Sequence, residues 1–338
     1  MKALFIGGTG TISMAITRQL ADDSNWELYL LNRGNRASDV PSNVHSIVAD
    51  ISNEEDCRKK LENLQFDVVC DFIAFTKEQV ERDYRLFNGK TKQYIFISSA
   101  SAYQKPLASA TITESTPLAN PYWEYSRNKI ACEDFLMSKY REHQFPVTIV
   151  RPSHTYDERK VPLGVHGDNG SWQIIKRMLD GKPVIIHGDG TSLWTMTHNT
   201  DFAKGFIGLM GNIHAIGEAF QITSDESLTW NQIYQAIADA LNVELKPYHV
   251  TSEFLASTGK YDLTGSLIGD KANSVIFDNT KLKRAVPGFV ATTRFDQGIR
   301  QSIDYILSHP ECQTEDPEFD AWCDNIINAL EQAKLFKA

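Results

Sequence analysis

The chain has 338 residues, 42% of them hydrophobic and 23% charged, an ordinary composition for a globular protein with one large core or two modest ones. Its 34 basic residues against 43 acidic ones leave a net charge of −9, with no basic run to offset it, so neither nucleic acid nor an anionic membrane surface is an expected partner. No stretch of about 18 apolar residues exists, so no membrane span is expected.

The first six residues run straight into a glycine turn and read as a buried strand rather than a leader. Apolar runs at Ala3–Ile6, Glu27–Leu31, Val44–Val48, Val68–Phe72, Gln93–Ile97 and Val147–Val150 alternate with helical stretches near 13–21, 53–63, 77–87 and 123–141. Such alternation predicts a doubly wound parallel sheet with helices on both faces, an α/β Rossmann-type architecture. Ile12, Ile16 and Leu20 fall at the helical spacing of the first helix.

Gly7-Gly8-Thr9-Gly10-Thr11-Ile12-Ser13 joins that first strand to that helix. Glycine lets the backbone approach a pyrophosphate, and the helix N-terminus offers free N–H groups and a positive dipole end. Gly7, Gly10, Thr11 and Ile12 are therefore the expected phosphate-side residues. Ser13 stands where a third glycine is common, and it is small enough for close helix–strand packing. The end of the second strand, where a carboxylate would meet the ribose hydroxyls, carries Asn32 and Arg33, with Arg36 close behind. A guanidinium there can bind a 2′-phosphate, so the expected cofactor is NAD(P) with a lean to NADP. Asp50 and Ile51 follow the third strand, where Asp50 either meets the adenine or caps the helix starting near Ser52.

The fifth strand ends in Ser98-Ser99, and Tyr125 and Lys129 stand four residues apart on the next helix. A phenol is a poor base at neutral pH. A lysine one turn away shares its face and favours the phenolate, while a serine hydroxyl can hold the substrate oxygen. The expected catalytic group is thus Ser99, Tyr125 and Lys129, with Lys129 also reaching the cofactor ribose.

Beyond residue 152 the pattern loosens into a long polar loop over 153–170. A helix follows near 171–180, then the strand Pro183–Ile186, a helix at 198–210, a strand at 218–222 and a helix begun by Thr229. Phe319, Trp322, Ile326, Ile327 and Leu330 mark an amphipathic helix near the C-terminus. The expected domains are 1–152 with about 196–224, holding the cofactor, and a smaller substrate domain from 153–195 and 225–338. Five cysteines without a C-x-x-C point to a reduced, cytoplasmic compartment. The nine histidines show no metal-ligand spacing, so no metal is expected.

With these features in order, the chain resembles the extended short-chain dehydrogenase/reductase superfamily, in its NAD-dependent epimerase/dehydratase group. The carrying residues are Gly7, Gly10, Asp50-Ile51, the run Ser98 to Tyr103, Tyr125 with Lys129, the run Arg151 to Tyr156, and His187-Gly188-Asp189-Gly190. Asp278-Asn279-Thr280-Lys281 looks like a late family element. The resemblance implies a small-molecule substrate, a dimer, and a catalytic serine at Ser99, four residues before Tyr103. Family members that handle nucleoside-diphosphate sugars carry an arginine where this chain has Trp194, and an asparagine where it has His154. Both are candidate substrate residues, and both speak against a standard UDP-sugar epimerase. Arg159, Lys160 and His166 could hold an anionic group instead. Ala100 and Ser101 follow Ser99 where dehydratases carry an acid, which ranks dehydration low. The leading expectation is an oxidoreductase or epimerase acting on a sugar-like or hydroxylated carbonyl compound. The alternative is a non-catalytic NAD(P) sensor or RNA-associated relative.

Overall fold

In the computed structural model, residues 1–35 and 39–335 are described, and Arg36 lies outside them. The chain divides into two compact units. The first comprises Met1–Thr155, Thr197–Asp225 and Phe277–Thr292, and the second Tyr156–Met196, Glu226–Ile276 and Thr293–Ala338.

The first unit is built on a seven-stranded parallel sheet. Its labelled strands are β1 (Lys2–Ile6), β2 (Glu27–Asn32), β3 (His45–Val48), β4 (Val68–Asp71) and β5 (Tyr94–Ile97). Across the sheet the order is Ala219–Ile222, Val147–Pro152, β5, β4, β1, β2, β3. The chain winds outward from β1 in both directions, which opens a crevice at the carboxyl ends of β1 and β4, where dinucleotides bind in such sheets. Register places Ile6 beside both Leu31 and Asp71 at that edge.

Side chains of β1 alternate between two cores. Ala3 and Phe5 pack with Ile16 and Leu20 of α1 (Ser13–Ala21) and with Phe202 and Phe206 of the helix Asn199–Leu209. Leu4 and Ile6 face the opposite core, with Cys57 of α2 (Glu54–Lys60), Val80 of α3 (Lys77–Phe87) and Leu136 of α4 (Glu124–His143). Both faces are covered, which explains strands that read as continuous apolar runs. Ala219–Ile222 returns to this sheet beside Val147–Pro152. Residues 277–292, read from sequence as part of the second domain, lie in the first unit. There Asn279 donates to the Thr223 carbonyl at 2.9 Å and to Asp225 at 3.0 Å.

In the second unit the strands Val184–His187 and Pro247–Val250 pair in parallel. The helix Trp230–Leu241 begins at Thr229, whose hydroxyl accepts the Gln232 amide. That helix buries Trp230, Tyr234 and Ile237, and packs against Phe295–Ser308. The amphipathic helix is Pro317–Leu335, docked through buried Phe319 and Cys323. Fully buried Arg177 ties it down by ion pairs to Asp320 at 2.6 Å and Asp324 at 2.7 Å. The chain's five cysteines are free thiols, four of them buried. No helix among the described residues is long and apolar enough to cross a membrane.

Candidate active site

The glycine turn follows β1 at the sheet's carboxyl edge. Gly7 and Gly8 take φ values of +99° and +94°, a region that L side chains rarely adopt. A Cβ on Gly7 would stand 2.9 Å from Ile73 Cγ2, and one on Gly8 would stand 2.6 Å from Leu30 Cδ2. Buried Ser13 accepts the Gly10 amide at 3.0 Å, so it closes the turn as well as permitting close packing. Thr17 Oγ1 donates to the Gly8 carbonyl at 2.8 Å, and Asn199 Nδ2 to the Thr11 carbonyl at 3.1 Å. Ile12 is the N-cap of α1. A backbone cradle this shaped, at a helix N-terminus, fits the pyrophosphate of a dinucleotide.

At the end of β2, Asn32 Oδ1 accepts the Gly34 amide at 2.9 Å and Arg33 is exposed. Asp50, also exposed, accepts the Ser52 amide at 2.9 Å and its hydroxyl at 2.7 Å. Those two bonds, the hydroxyl first, hold the Asp50 carboxyl below the usual range. Asp50 does not cap the following helix. Asn53 does, because its side chain accepts the Asp56 amide and sits one residue ahead of Glu54, the first of α2. Ile51 is buried.

Helix α4 buries Ser126, Lys129, Cys132, Glu133 and Leu136, one helical face. This face presents the candidate chemistry. The Lys129 ammonium donates to the carbonyls of Ala74 at 2.7 Å and Ile97 at 2.8 Å. It lies 4.6 Å from the centre of the Phe75 ring and 5.8 Å from that of Tyr125. Tyr125 is half-buried between Trp123 and Phe75, with ring centres 5.0 and 6.3 Å away. Ser98 and Ser101 are buried, whereas Ser99 is half-exposed. The Ser99 hydroxyl lies 2.9 Å from that of Ser101, which accepts from Ser126 at 2.8 Å. A chain of hydroxyls therefore links Ser99 to the residue next to Tyr125. Asn120 pins it by donating to the Ser101 carbonyl at 2.8 Å. Ser98 instead donates to Glu133, which takes a two-pronged ion pair from Arg151. Tyr103 is fully buried and donates to Gln221 at 3.0 Å.

Burial lowers the Lys129 pKa to about 8, against the opposing pull of nearby Asp71. An unfolded lysine titrates near 10.4. Between these values the unfolded chain binds more protons, so stability is expected to rise as pH climbs from about 8 toward 10.4. The check is the urea midpoint at pH 7 and 9.5. The wild-type protein gains relative to Lys129→Met, and equal slopes count against it.

His154 is half-buried in the first unit. Trp194 is buried in the second, 5.9 Å from Trp230 between ring centres. Arg159 is committed to Asp157 at 2.7 Å. His166 is exposed, with its Nδ1 2.7 Å from the Gly167 carbonyl oxygen. Residues that sequence reasoning passed over are Ser126, Asn120, Ala74 and Asp71. The first two sit beside the quoted motifs, but nothing in their spacing signals a role.

The family model for the NAD dependent epimerase/dehydratase family matches residues 3–223, spanning the glycine turn, Ser99, Tyr125 and Lys129. The chain belongs to this family. It is an enzyme of the NAD-dependent epimerase/dehydratase type, related to reductases, dehydratases and epimerases. It is 22% identical over 272 residues to a 2′-dehydrokanamycin reductase of Streptomyces kanamyceticus, covering 78% of this chain and 76% of that protein. It is 26% identical over 252 residues to the chloroplast stem-loop binding protein of 41 kDa b of Arabidopsis thaliana, covering 71% and 63%. The fold is shared with a UDP-glucuronic acid 4-epimerase from Bacillus cereus in complex with UDP-glucuronic acid and NAD. That likeness has a TM-score of 0.73 and 20% identity, over 91% of this chain and 99% of that one.

Proposed function

We propose that this family member is an NADP-preferring oxidoreductase acting on a sugar-like or other hydroxylated carbonyl compound, with Ser99, Tyr125 and Lys129 as its catalytic set. The observation that carries the reading is the Lys129 ammonium, anchored by two backbone carbonyls on the helical face it shares with Tyr125. In the reductive direction, Tyr125 gives its hydroxyl proton to the carbonyl oxygen, and Ser99 holds that oxygen. Lys129 stabilises the phenolate left behind and binds the cofactor ribose. NAD(P), when bound, supplies or accepts the hydride. Gly7, Gly10, Thr11 and Ile12 hold the pyrophosphate, with Asp50 and Ile51 on the adenosine side.

Reduction is favoured over epimerisation by two features. A relative is named as a reductase of a dehydro compound. Trp194, standing where nucleotide-sugar enzymes of the family carry an arginine, is packed into the core of its unit and offers no charge. The lean to NADP rests on the exposed Arg33 and on Asn32 in place of a carboxylate. The acidic net charge of −9 speaks against a stem-loop-binding role.

The test is native mass spectrometry of the purified protein, then titration with NAD and NADP, then NADPH consumption with a panel of keto sugars and hydroxyketones. The expected outcome is an empty protein that binds NADP more tightly and reduces at least one panel member. Arg33→Ala is expected to cost about tenfold in NADP affinity and leave NAD unaffected, the scale of one charge-assisted hydrogen bond. Co-purified NAD that survives dialysis would overturn the reductase reading in favour of a cofactor-recycling epimerase.

A further inference from the structure

Behind Lys129 lies a group of buried side chains that the proposed reaction does not use. Asp71 ends β4 and is fully buried. Its Oδ1 accepts the amides of Ile73 at 2.9 Å and Ala74 at 3.0 Å. The next two amides, of Phe75 and Thr76, go to Gln79 Oε1 at 2.5 and 3.1 Å. Four consecutive N–H groups are thus met by two side chains, and the turn they hold carries the Ala74 carbonyl that anchors Lys129.

The second oxygen of Asp71 accepts the Tyr94 hydroxyl at 2.9 Å. That hydroxyl also lies 3.2 Å from Oδ2 of Asp83, again fully buried. A phenol has one hydrogen to give. With it donated to Asp71, the contact to Asp83 is satisfied by a proton on the Asp83 carboxyl, donated to the Tyr94 oxygen. The other Asp83 oxygen accepts from Arg82 Nε at 2.8 Å and Nη2 at 2.7 Å. Burial first, then the charge of Asp71, push the Asp83 carboxyl well above the usual carboxylate range.

We propose that Asp71 is a positioning residue for Lys129: kept an acceptor by a proton stored on Asp83 and relayed through Tyr94, it fixes the turn that anchors the ammonium and supplies its counter-charge. The inference rests on the reading of Lys129 as the lysine that binds cofactor and supports Tyr125. The charged and titratable groups acting on Lys129 are Asp71 from β4, and Cys132 and Glu133 from its own helix, with the Tyr125 ring beside it. Glu133 is neutralised by Arg151 from the strand Val147–Pro152. Asp71 in turn meets Tyr94 of β5, which also contacts Asp83 of α3, itself paired with Arg82.

The experiment uses the whole protein and needs no turnover. Infrared spectroscopy at neutral pH is expected to show a protonated-carboxyl band that disappears in Asp83→Asn. That variant keeps its melting temperature, and its NADP affinity within about twofold, because an amide donates to Tyr94 and accepts from Arg82 as the acid does. Asp71→Asn removes the counter-charge. It is expected to lower by about one pH unit the point at which NADP affinity falls on the alkaline side. Tyr94→Phe removes the donor that keeps Asp71 an acceptor, and moves the same limb down by less. Absence of the band in the wild-type protein, or its survival in Asp83→Asn, overturns the proposal. So does an alkaline limb unmoved in Tyr94→Phe, even where Asp71→Asn does not fold. Normal cofactor binding with no reaction on any carbonyl sinks the proposed reductase activity and leaves this inference standing.

Discussion

Replacing Gly7 with valine leaves the first unit folded and strips it of measurable NAD(P) binding. The residue sits at φ +99° with Ile73 Cγ2 2.9 Å and Phe72 Cβ 3.4 Å from where a Cβ would be. A β-branched residue in that region costs on the order of 1–3 kcal/mol in strain, less than the total stability of an ordinary domain. The larger consequence is local. On the proposed reading the strand turns at Gly7 so that the next amides face the pyrophosphate from the start of α1, and a displaced turn withdraws those amides together. A loss of more than about 100-fold in NADP affinity, or about 3 kcal/mol, is expected by calorimetry. Gly10→Ala is the informative control. A Cβ there meets only Ser13 Oγ at 3.6 Å, and its φ is not positive. Its melting temperature should match the wild-type value, and any loss of affinity reports proximity to the phosphates alone. Wild-type affinity in Gly7→Val would remove the turn from the cofactor site.

Local spacing made the sheet legible. Strands covered on both faces are short continuous apolar runs, and β1, β2, β4 and β5 stand out for that reason. The Thr229 start of its helix was readable because threonine is a preferred capping residue, and the structure adds the reciprocal bond with Gln232. The Tyr125 and Lys129 pair was readable because four residues make one helical turn. What holds that pair was not. Lys129 bonds to carbonyls of Ala74 and Ile97, 55 and 32 residues away in sequence, and a carbonyl acceptor leaves no trace in residue identity. Asp71 lies in an apolar strand, where a buried carboxyl reads as an interruption rather than as the organiser of a turn. Asp50 shows the opposite case, where one of its two sequence readings, the helix cap, is excluded. An aspartate just before a helix is a good capping signal, yet Asn53 stands nearer and the helix starts from it. Residues 277–292 mislead for a topological reason, since a chain that crosses between units more than once carries no local mark of its return.

Tyr125→Phe is expected to reduce turnover of the best carbonyl substrate by about 10²–10⁴-fold, the range associated with loss of a general acid. The substitution removes one oxygen and keeps the ring, so contacts with Trp123 and Phe75 remain, and so does the stem of α4 that carries Lys129. NADP affinity should therefore stay within about twofold, and the melting temperature should be unchanged. That combination separates three readings of the same fold. A catalytic Tyr125 loses kcat with its cofactor still bound. A cofactor sensor shows no turnover to lose, and binds NADP equally well in both proteins. A structural Tyr125, which packs against Trp123 and Phe75 without giving a proton, loses stability or affinity in proportion to activity. Ser99→Ala sharpens the division. Ser101 and Ser126 keep their own hydrogen bond, so the hydroxyl chain shortens without collapsing. A fall in kcat smaller than that of Tyr125→Phe, again with NADP affinity intact, assigns Ser99 to holding the substrate oxygen and Tyr125 to moving the proton. Equal activity in Tyr125→Phe and the wild-type protein would take the tyrosine out of the reaction altogether.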